Sequence, residues 1–264
     1  MIVAANWKMN PPLSVAGTLV QAMIAGSTSL AGDVDDYATV QRMLFPPHPF
    51  LMPMSIRLQG SGVHLGGQDC HEDAAGAHTG DVSAMMLRDC GASIVLLGHS
   101  ERRANHGETS ALVAAKANQA LATGLDVMIC VGETLAERQA GHAEQMVIDQ
   151  LRASIPKEMP ARDNDKQVRI IIAYEPVWAI GTGQVASLDD IAAMHATIAA
   201  ELSELPALSK VPAVPILYGG SVNAQNAAAI FALAHVGGGL VGGASLDAAA
   251  FTAICHAAMR TATQ

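Results

Sequence analysis

The feature that most constrains this chain is a regular alternation of short β-rich runs with longer Ala- and Leu-rich helical stretches. Strands are expected at Ile2–Trp7, Thr39–Phe45, Val63–Gly66, Ser93–Leu97, Val127–Val131, Arg169–Tyr174, Val214–Tyr218 and Gly239–Val241. Helical patterns lie near Ser14–Leu30, Leu51–Gln59, Val82–Cys90, Ser110–Ala122, Leu135–Ser154, Leu188–Leu205, Ala224–Ala234 and Leu246–Ala262. Two of them carry start signals: Thr134-x-x-Glu137 is a capping box, and Ser187-x-x-Asp190 resembles one. Eight strands each followed by a helix imply an α/β chain with a parallel sheet. Runs such as IIIAY at 170–174 are apolar at successive positions, as strands covered on both faces must be. A closed eightfold barrel fits the count, and an open doubly wound sheet is the alternative. No linker or low-complexity tract divides the chain, so residues 1–264 are expected to form one domain.

Charge and cysteine usage narrow the function. A formal charge of −9 disfavours a nucleic-acid partner, because phosphate backbones demand clustered Lys and Arg. It leaves room for one small anion held by local positive potential. Cys70, Cys90, Cys130 and Cys255 lie far apart with no C-x-x-C pair, and MIVAANWKMNPP has no basic segment ahead of an apolar one. A cytoplasmic protein without disulfides is expected. Val211–Leu246 contains no Asp, Glu, Lys or Arg, but prolines and paired glycines interrupt it, so no membrane span is expected.

In a barrel, functional groups collect where strands run into the following loops. Chemically capable residues do fall there. Lys8 follows the first strand and offers a compact positive charge, although a strand-end lysine taken alone is more often simply solvated. His99 follows the fourth, in GHSERR at 98–103, where an imidazole can exchange protons with a substrate oxygen or simply join a surface ion-pair cluster. Glu175 follows the sixth, in apolar surroundings expected to raise its pKa and make it a better base. The segment after it presents Trp178 and Ile180 beside glycines, which suits a lid that buries an apolar face. Gly219-Gly220-Ser221 and Gly242-Gly243 follow the last two strands, where backbone N–H groups can hold a phosphate without Lys or Arg.

Three other patterns are set aside. Gly181-Thr182-Gly183-Gln184-Val185-Ala186 matches G-x-G-x-x-A, but Glu175 to Ile180 separate it from its strand, and a helical pattern occupies the downstream region where the acidic ribose partner would belong. Neither Ser100 nor Ser221 sits in G-x-S-x-G. The His, Asp and Glu residues of 68–73 and 78–81 match no metal-site spacing and read as a long polar loop serving an interface or a lid, so no metal is expected.

NWKMN at 6–10, GHSERR at 98–103, CVGE at 130–133, AYEPVWAIGTG at 173–183, YGGSV at 218–222 and GLVGGASL at 239–246 together resemble the triosephosphate isomerases, in that family's order and over nearly the whole chain. The resemblance implies a homodimeric (β/α)8 TIM barrel that interconverts dihydroxyacetone phosphate and D-glyceraldehyde 3-phosphate without a cofactor. It implies that Glu175 is the base, His99 the neutral imidazole polarising the carbonyl, Lys8 and Asn6 the groups stabilising the enediolate, and Glu101 the carboxylate orienting them. Gly181, Ser221, Gly242 and Gly243 would bind phosphate. Pro176, Val177, Trp178, Ala179, Ile180, Gly181, Thr182 and Gly183 would form the lid, Ile180 and Leu240 its apolar clasp, and Thr79 the tip of a loop reaching the partner subunit. The chain departs from the family at Gln184-Val185-Ala186, where Lys-Thr-Ala is frequent, at His78 and Asp81, where an aromatic and a glutamate are usual, and at His235-Val236-Gly237, commonly acidic. An isomerase of a related four-carbon sugar phosphate is the close alternative. A nicotinamide-dependent oxidoreductase and a silent phosphate-binding protein are the readings from other classes.

Overall fold

The computed structural model describes residues 1–28, 40–159, 169–180, 185–211 and 214–262. Eight strands, β1 (Ile2–Asn6), β2 (Gln41–Phe45), β3 (Val63–Gly67), β4 (Ile94–Leu97), β5 (Asp126–Val131), β6 (Ile170–Tyr174), β7 (Ile216–Tyr218) and β8 (Gly238–Val241), pair in sequence order into a closed barrel. All the pairings are parallel, and the ring closes where β1 runs beside β8, Ile2 against Gly238 and Ala5 against Val241. The open sheet is thereby excluded. Gly238 has φ +139, and a Cβ there would stand 1.8 Å from the Ile2 carbonyl oxygen, so only glycine fits this seam.

The two-residue period of a strand divides the side chains. Ile2, Ala4, Met43, Phe45, Ile94, Leu96, Met128, Cys130, Ile171, Ala173, Leu217 and Leu240 fill the barrel, while Val3, Ala5, Leu44, Val95, Val127 and Ile172 belong to the larger core against the helices. Aromatics are 3% of the chain, so methionine, leucine and isoleucine supply most of the bulk.

Helices α1 (Leu13–Thr28), α2 (Leu51–Leu58), α3 (Ala84–Asp89), α4 (Ser100–His106), α5 (Ser110–Ala122), α6 (Leu135–Gln139), α7 (Ala143–Ser154), α8 (Leu188–Glu204), α9 (Ala227–Phe231) and α10 (Ala248–Ala262) cover the barrel. Both expected capping boxes are present, at the starts of α6 and α8. The helix expected over Leu135–Ser154 is instead two, because Gly141 takes φ +76 between α6 and α7. The stretch Ala224–Ala234 contracts to α9, its start held by Asn223 and Asn226 in side-chain turns. Helix α4 was not expected: it lacks an apolar period and exists because His99 caps it and Gly107, at φ 67, ends it. Leu30 and Thr39, the outer ends of two expected elements, lie outside the described residues. No helix among the described residues is long and apolar enough to cross a membrane.

Candidate active site

The rim where the strands end toward their following helices gathers Asn6, Lys8, His99, Glu175, Ile180, Ser221, Leu240, Gly242 and Gly243 around one cavity of ≈ 490 Å³. A larger cavity, ≈ 560 Å³, lies near His235, and the described residues that line it include no carboxylate, ammonium or guanidinium. Chemistry therefore points to the smaller one.

Asn6 is the last residue of β1 and is buried. Its Oδ1 accepts from the Lys8 N–H at 2.9 Å, closing a tight turn that holds Lys8 at φ 51. A non-glycine residue in that region costs about 1–3 kcal/mol and persists only where neighbours fix it. Gln68, just beyond β3, does so by donating Nε2 to the Lys8 carbonyl at 2.8 Å and to the Phe45 carbonyl at 2.9 Å. Lys8 Nζ meets Glu101 Oε1 at 2.6 Å, and Gly242 would bring a Cβ within 3.5 Å of Lys8 Cε.

Glu175 follows β6 directly and is 2% exposed. Oε1 lies 3.0 Å from His99 Nε2, and Oε2 accepts from the Ser100 N–H at 2.9 Å. Burial pushes its pKa up, but His99, the Ser100 N–H and Lys8 outweigh burial and hold the carboxyl below its ordinary value. This corrects the expectation of a raised pKa: apolar neighbours in sequence do not make an uncharged site in space. For His99, burial pulls down while Glu175, by charge and hydrogen bond, and Glu101 pull up against Lys8, with a net rise. Yet His99 Nδ1 accepts from the Glu101 N–H at 3.2 Å, as the cap of α4. Only a neutral ring with its proton on Nε2 can accept there while donating to Glu175. The Glu175 contact is the largest upward influence on the ring. Behind Glu175, burial holds the Cys130 thiol well above its ordinary pKa, so it stays protonated.

Pro176–Ile180, expected as part of a lid, leave the rim through a short 3₁₀ turn, Val177–Ala179. Glu133, fully buried after β5, accepts from Trp178 Nε1 at 2.8 Å and Tyr174 Oη at 3.2 Å. Arg138 lies 3.4 Å from the same carboxylate, pairs with Asp190 and covers the Trp178 ring at 4.9 Å. The segment after β6 is thus tied to both α6 and α8. Ser221 donates Oγ to the Ala179 carbonyl at 2.6 Å. The expected lid and phosphate residues Gly181, Thr182 and Gly183, with the departure at Gln184, lie outside the described residues. Thr79 stands on a loop away from this cavity and is exposed.

Gln68, Glu133 and Arg138 were not singled out for the site. Gln68 and Glu133 did lie inside quoted runs, but nothing in one sequence tells a buried carboxylate that holds a lid from a solvated one.

The family model for triosephosphate isomerase matches residues 1–258. A triosephosphate isomerase of Ruegeria pomeroyi is 48% identical over 258 residues, covering 97% of this chain and 96% of the relative. One from Acidiphilium cryptum is 48% identical, covering 98% of each. A crystal structure of triosephosphate isomerase from Bartonella henselae superposes with TM-score 0.82 at 38% identity, covering 97% of this chain and 98% of the other.

Proposed function

This chain belongs to the triosephosphate isomerase family, and on that premise we propose how its own residues divide the work. It is an enzyme interconverting dihydroxyacetone phosphate and D-glyceraldehyde 3-phosphate. Glu175 removes a proton from the carbon beside the carbonyl, and Lys8 and Asn6 stabilise the enediolate oxygens. His99 donates Nε2–H to one oxygen and carries a proton between the two. Glu175 then returns its proton to the neighbouring carbon. No other group is needed to balance the proton transfers.

The observation that carries this reading is the 3.0 Å contact between Glu175 Oε1 and His99 Nε2 on the cavity floor. It keeps base and electrophile occupied with each other until substrate arrives. To reach carbon, the carboxylate leaves the His99 and Ser100 donors. What remains is burial, which raises a carboxylate's pKa, so the movement itself makes Glu175 a stronger base. The same movement frees Nε2–H for the substrate. Residues 176–183 act as the lid, Ile180 closing toward Leu240, and exclusion of water keeps the enediolate from losing its phosphate.

The phosphate lies against Ser221, Gly242, Gly243 and Gly181. A Cβ built at Gly243 meets nothing within 4 Å, so a side chain there projects into free space beside the cavity rather than into protein. Gly243→Asp should fold normally, while its carboxylate repels the anion and inhibition by inorganic phosphate is lost. Unchanged phosphate inhibition would place the anion elsewhere.

The protein works as a homodimer in the cytoplasm. Exposed Met9, Met52, Met85 and Met86 sit on segments that follow the adjacent strands β1, β2 and β3, an apolar surface that association would cover. Residues 73–77 and 79–81 of the neighbouring loop are also exposed in the single chain. Thr79→Arg, placing a charge in a closed interface, should yield monomers with activity falling in step. Sedimentation velocity and rates on the same samples decide it, and a fully active monomer would refute the coupling.

The reaction itself is tested by coupled assay with glyceraldehyde 3-phosphate and dihydroxyacetone phosphate, run beside erythrose and erythrulose phosphates. Faster turnover of the four-carbon pair would displace the triose assignment.

A further inference from the structure

The long loop between β3 and α3 carries a second cluster of chemically capable side chains, unused by the isomerase reaction. Its ends are pinned by the His71 N–H donating to the Val82 carbonyl at 2.9 Å, and its crest by the Asp81 N–H donating to the His78 carbonyl. This folding brings together residues separated in sequence. The rings of His71 and His78 stack with centroids 3.9 Å apart. His78 Nε2 lies 3.0 Å from Asp73 Oδ2. One ligand atom from each of His71, Asp73 and His78 lies within 4.8 Å of the others.

Two further observations favour a cation. Glu72 and Asp81 reach toward His71 Nε2, at 3.6 and 3.8 Å, and among the described residues the ion pairs of Glu72, Asp73 and Asp81 run only to these two imidazoles. Three carboxylates thus converge on the cluster, while Arg102 and Lys116 of the adjoining cavity are paired with Asp69 and Glu108 instead. A Cβ on Gly76 would come within 2.7 Å of His78 Nε2, so glycine keeps the space beside that nitrogen open.

We propose that His71, Asp73 and His78 form a binding site for a borderline divalent cation of the zinc class, with Asp81 or Glu72 in reach as a further oxygen ligand. Two imidazoles and a carboxylate are the donor set such ions take, whereas magnesium or calcium would require mostly oxygen. Ligand atoms around a tetrahedral ion sit roughly 3.4 Å apart at the usual zinc–nitrogen and zinc–oxygen lengths. Asp73 Oδ2 and His78 Nε2, at 3.0 Å, are already that close, so only the His71 nitrogen, within 4.8 Å of both, has to draw in by side-chain rotation. The ion would clamp the start of the loop to its crest, beside Thr79.

The test is calorimetric titration of Zn²⁺ alone into full-length protein cleared of metal with a chelator. The expected result is one ion per chain. His71→Asn, Asp73→Asn and His78→Asn should each bind at least about tenfold more weakly, the scale of loss at altered metal sites. His142→Asn, between α6 and α7, should bind as the parent does. Anomalous scattering from crystals soaked in Zn²⁺ should place the ion between His71 and His78. Melting curves without Zn²⁺ separate a lost ligand from a lost fold, and Asp73→Asn, a conservative change of equal size, remains informative if a histidine variant is unstable. No saturable binding by the parent, or equal binding by a His71→Asn/His78→Asn double variant, overturns the proposal.

Discussion

Glu175→Gln should slow turnover on the order of a thousandfold, within the range for removing a general base, while inorganic phosphate still inhibits at similar concentrations. The amide keeps the size of the side chain but cannot take a proton from carbon. It also unsettles the resting network. Glu175 accepts from two donors, His99 Nε2–H and the Ser100 N–H. A glutamine offers one oxygen, so its NH₂ must face one of them. Either a donor goes unpaired, at about 1–3 kcal/mol, or the His99 proton moves to Nδ1 and forfeits the Glu101 N–H. Steady-state rates, inhibition constants and melting temperature measured together test this, and near-parental turnover would remove Glu175 from the chemistry. The sign of the pH dependence follows from the same contacts. The Glu175 carboxyl is held below its ordinary pKa by His99, the Ser100 N–H and Lys8. The base is therefore ionised above its depressed folded pKa. Its contribution to stability is present above the unfolded value and is lost as pH falls through the folded one.

Gly132→Ala should be nearly as damaging, although the residue touches no substrate. A Cβ there would stand 1.7 Å from the Glu175 carbonyl oxygen and 2.6 Å from its carbon, both main chain. The two loops cannot part easily, because Glu175 N–H donates to the Val131 carbonyl and Val177 N–H to that of Glu133. A single methyl must therefore displace the base itself. Misplacement by about an ångström can cost a hundredfold in rate, and overpacking of this kind about 1–3 kcal/mol in stability. A variant with parental rate and melting temperature would show the loops yielding at no cost.

The barrel was legible in the sequence because β1, β4, β5 and β6 carry apolar runs and the exits of β1, β4, β6, β7 and β8 carry a polar or glycine signal. Lys8, His99 and Glu175 followed from that placement without any motif. What stayed hidden depends on partners distant in sequence. Nothing local announces α4, whose first cap is a catalytic candidate's ring nitrogen. The depressed pKa of Glu175 comes from His99, Ser100 and Lys8, beyond the ends of β4 and β1, not from its own strand. The contacts of Glu133 with Trp178, and of Gln68 with the turn at Lys8, likewise exist only once the strands stand side by side. His71 and His78 belong to a run set aside on spacing, and only the loop's fold stacks them.

The seam between β1 and β8 also orders events in time. The first strand made is completed by the last, so Ile2 waits for Gly238 while nearly the whole chain is synthesised. Through that interval one side of β1 offers unpaired N–H and C=O groups to any passing strand. Glycine at 238 permits the late arrival to pack close, and α10, which follows, closes over α1 and β1. Nascent chains halted before residue 238 are thus the species most in need of a chaperone.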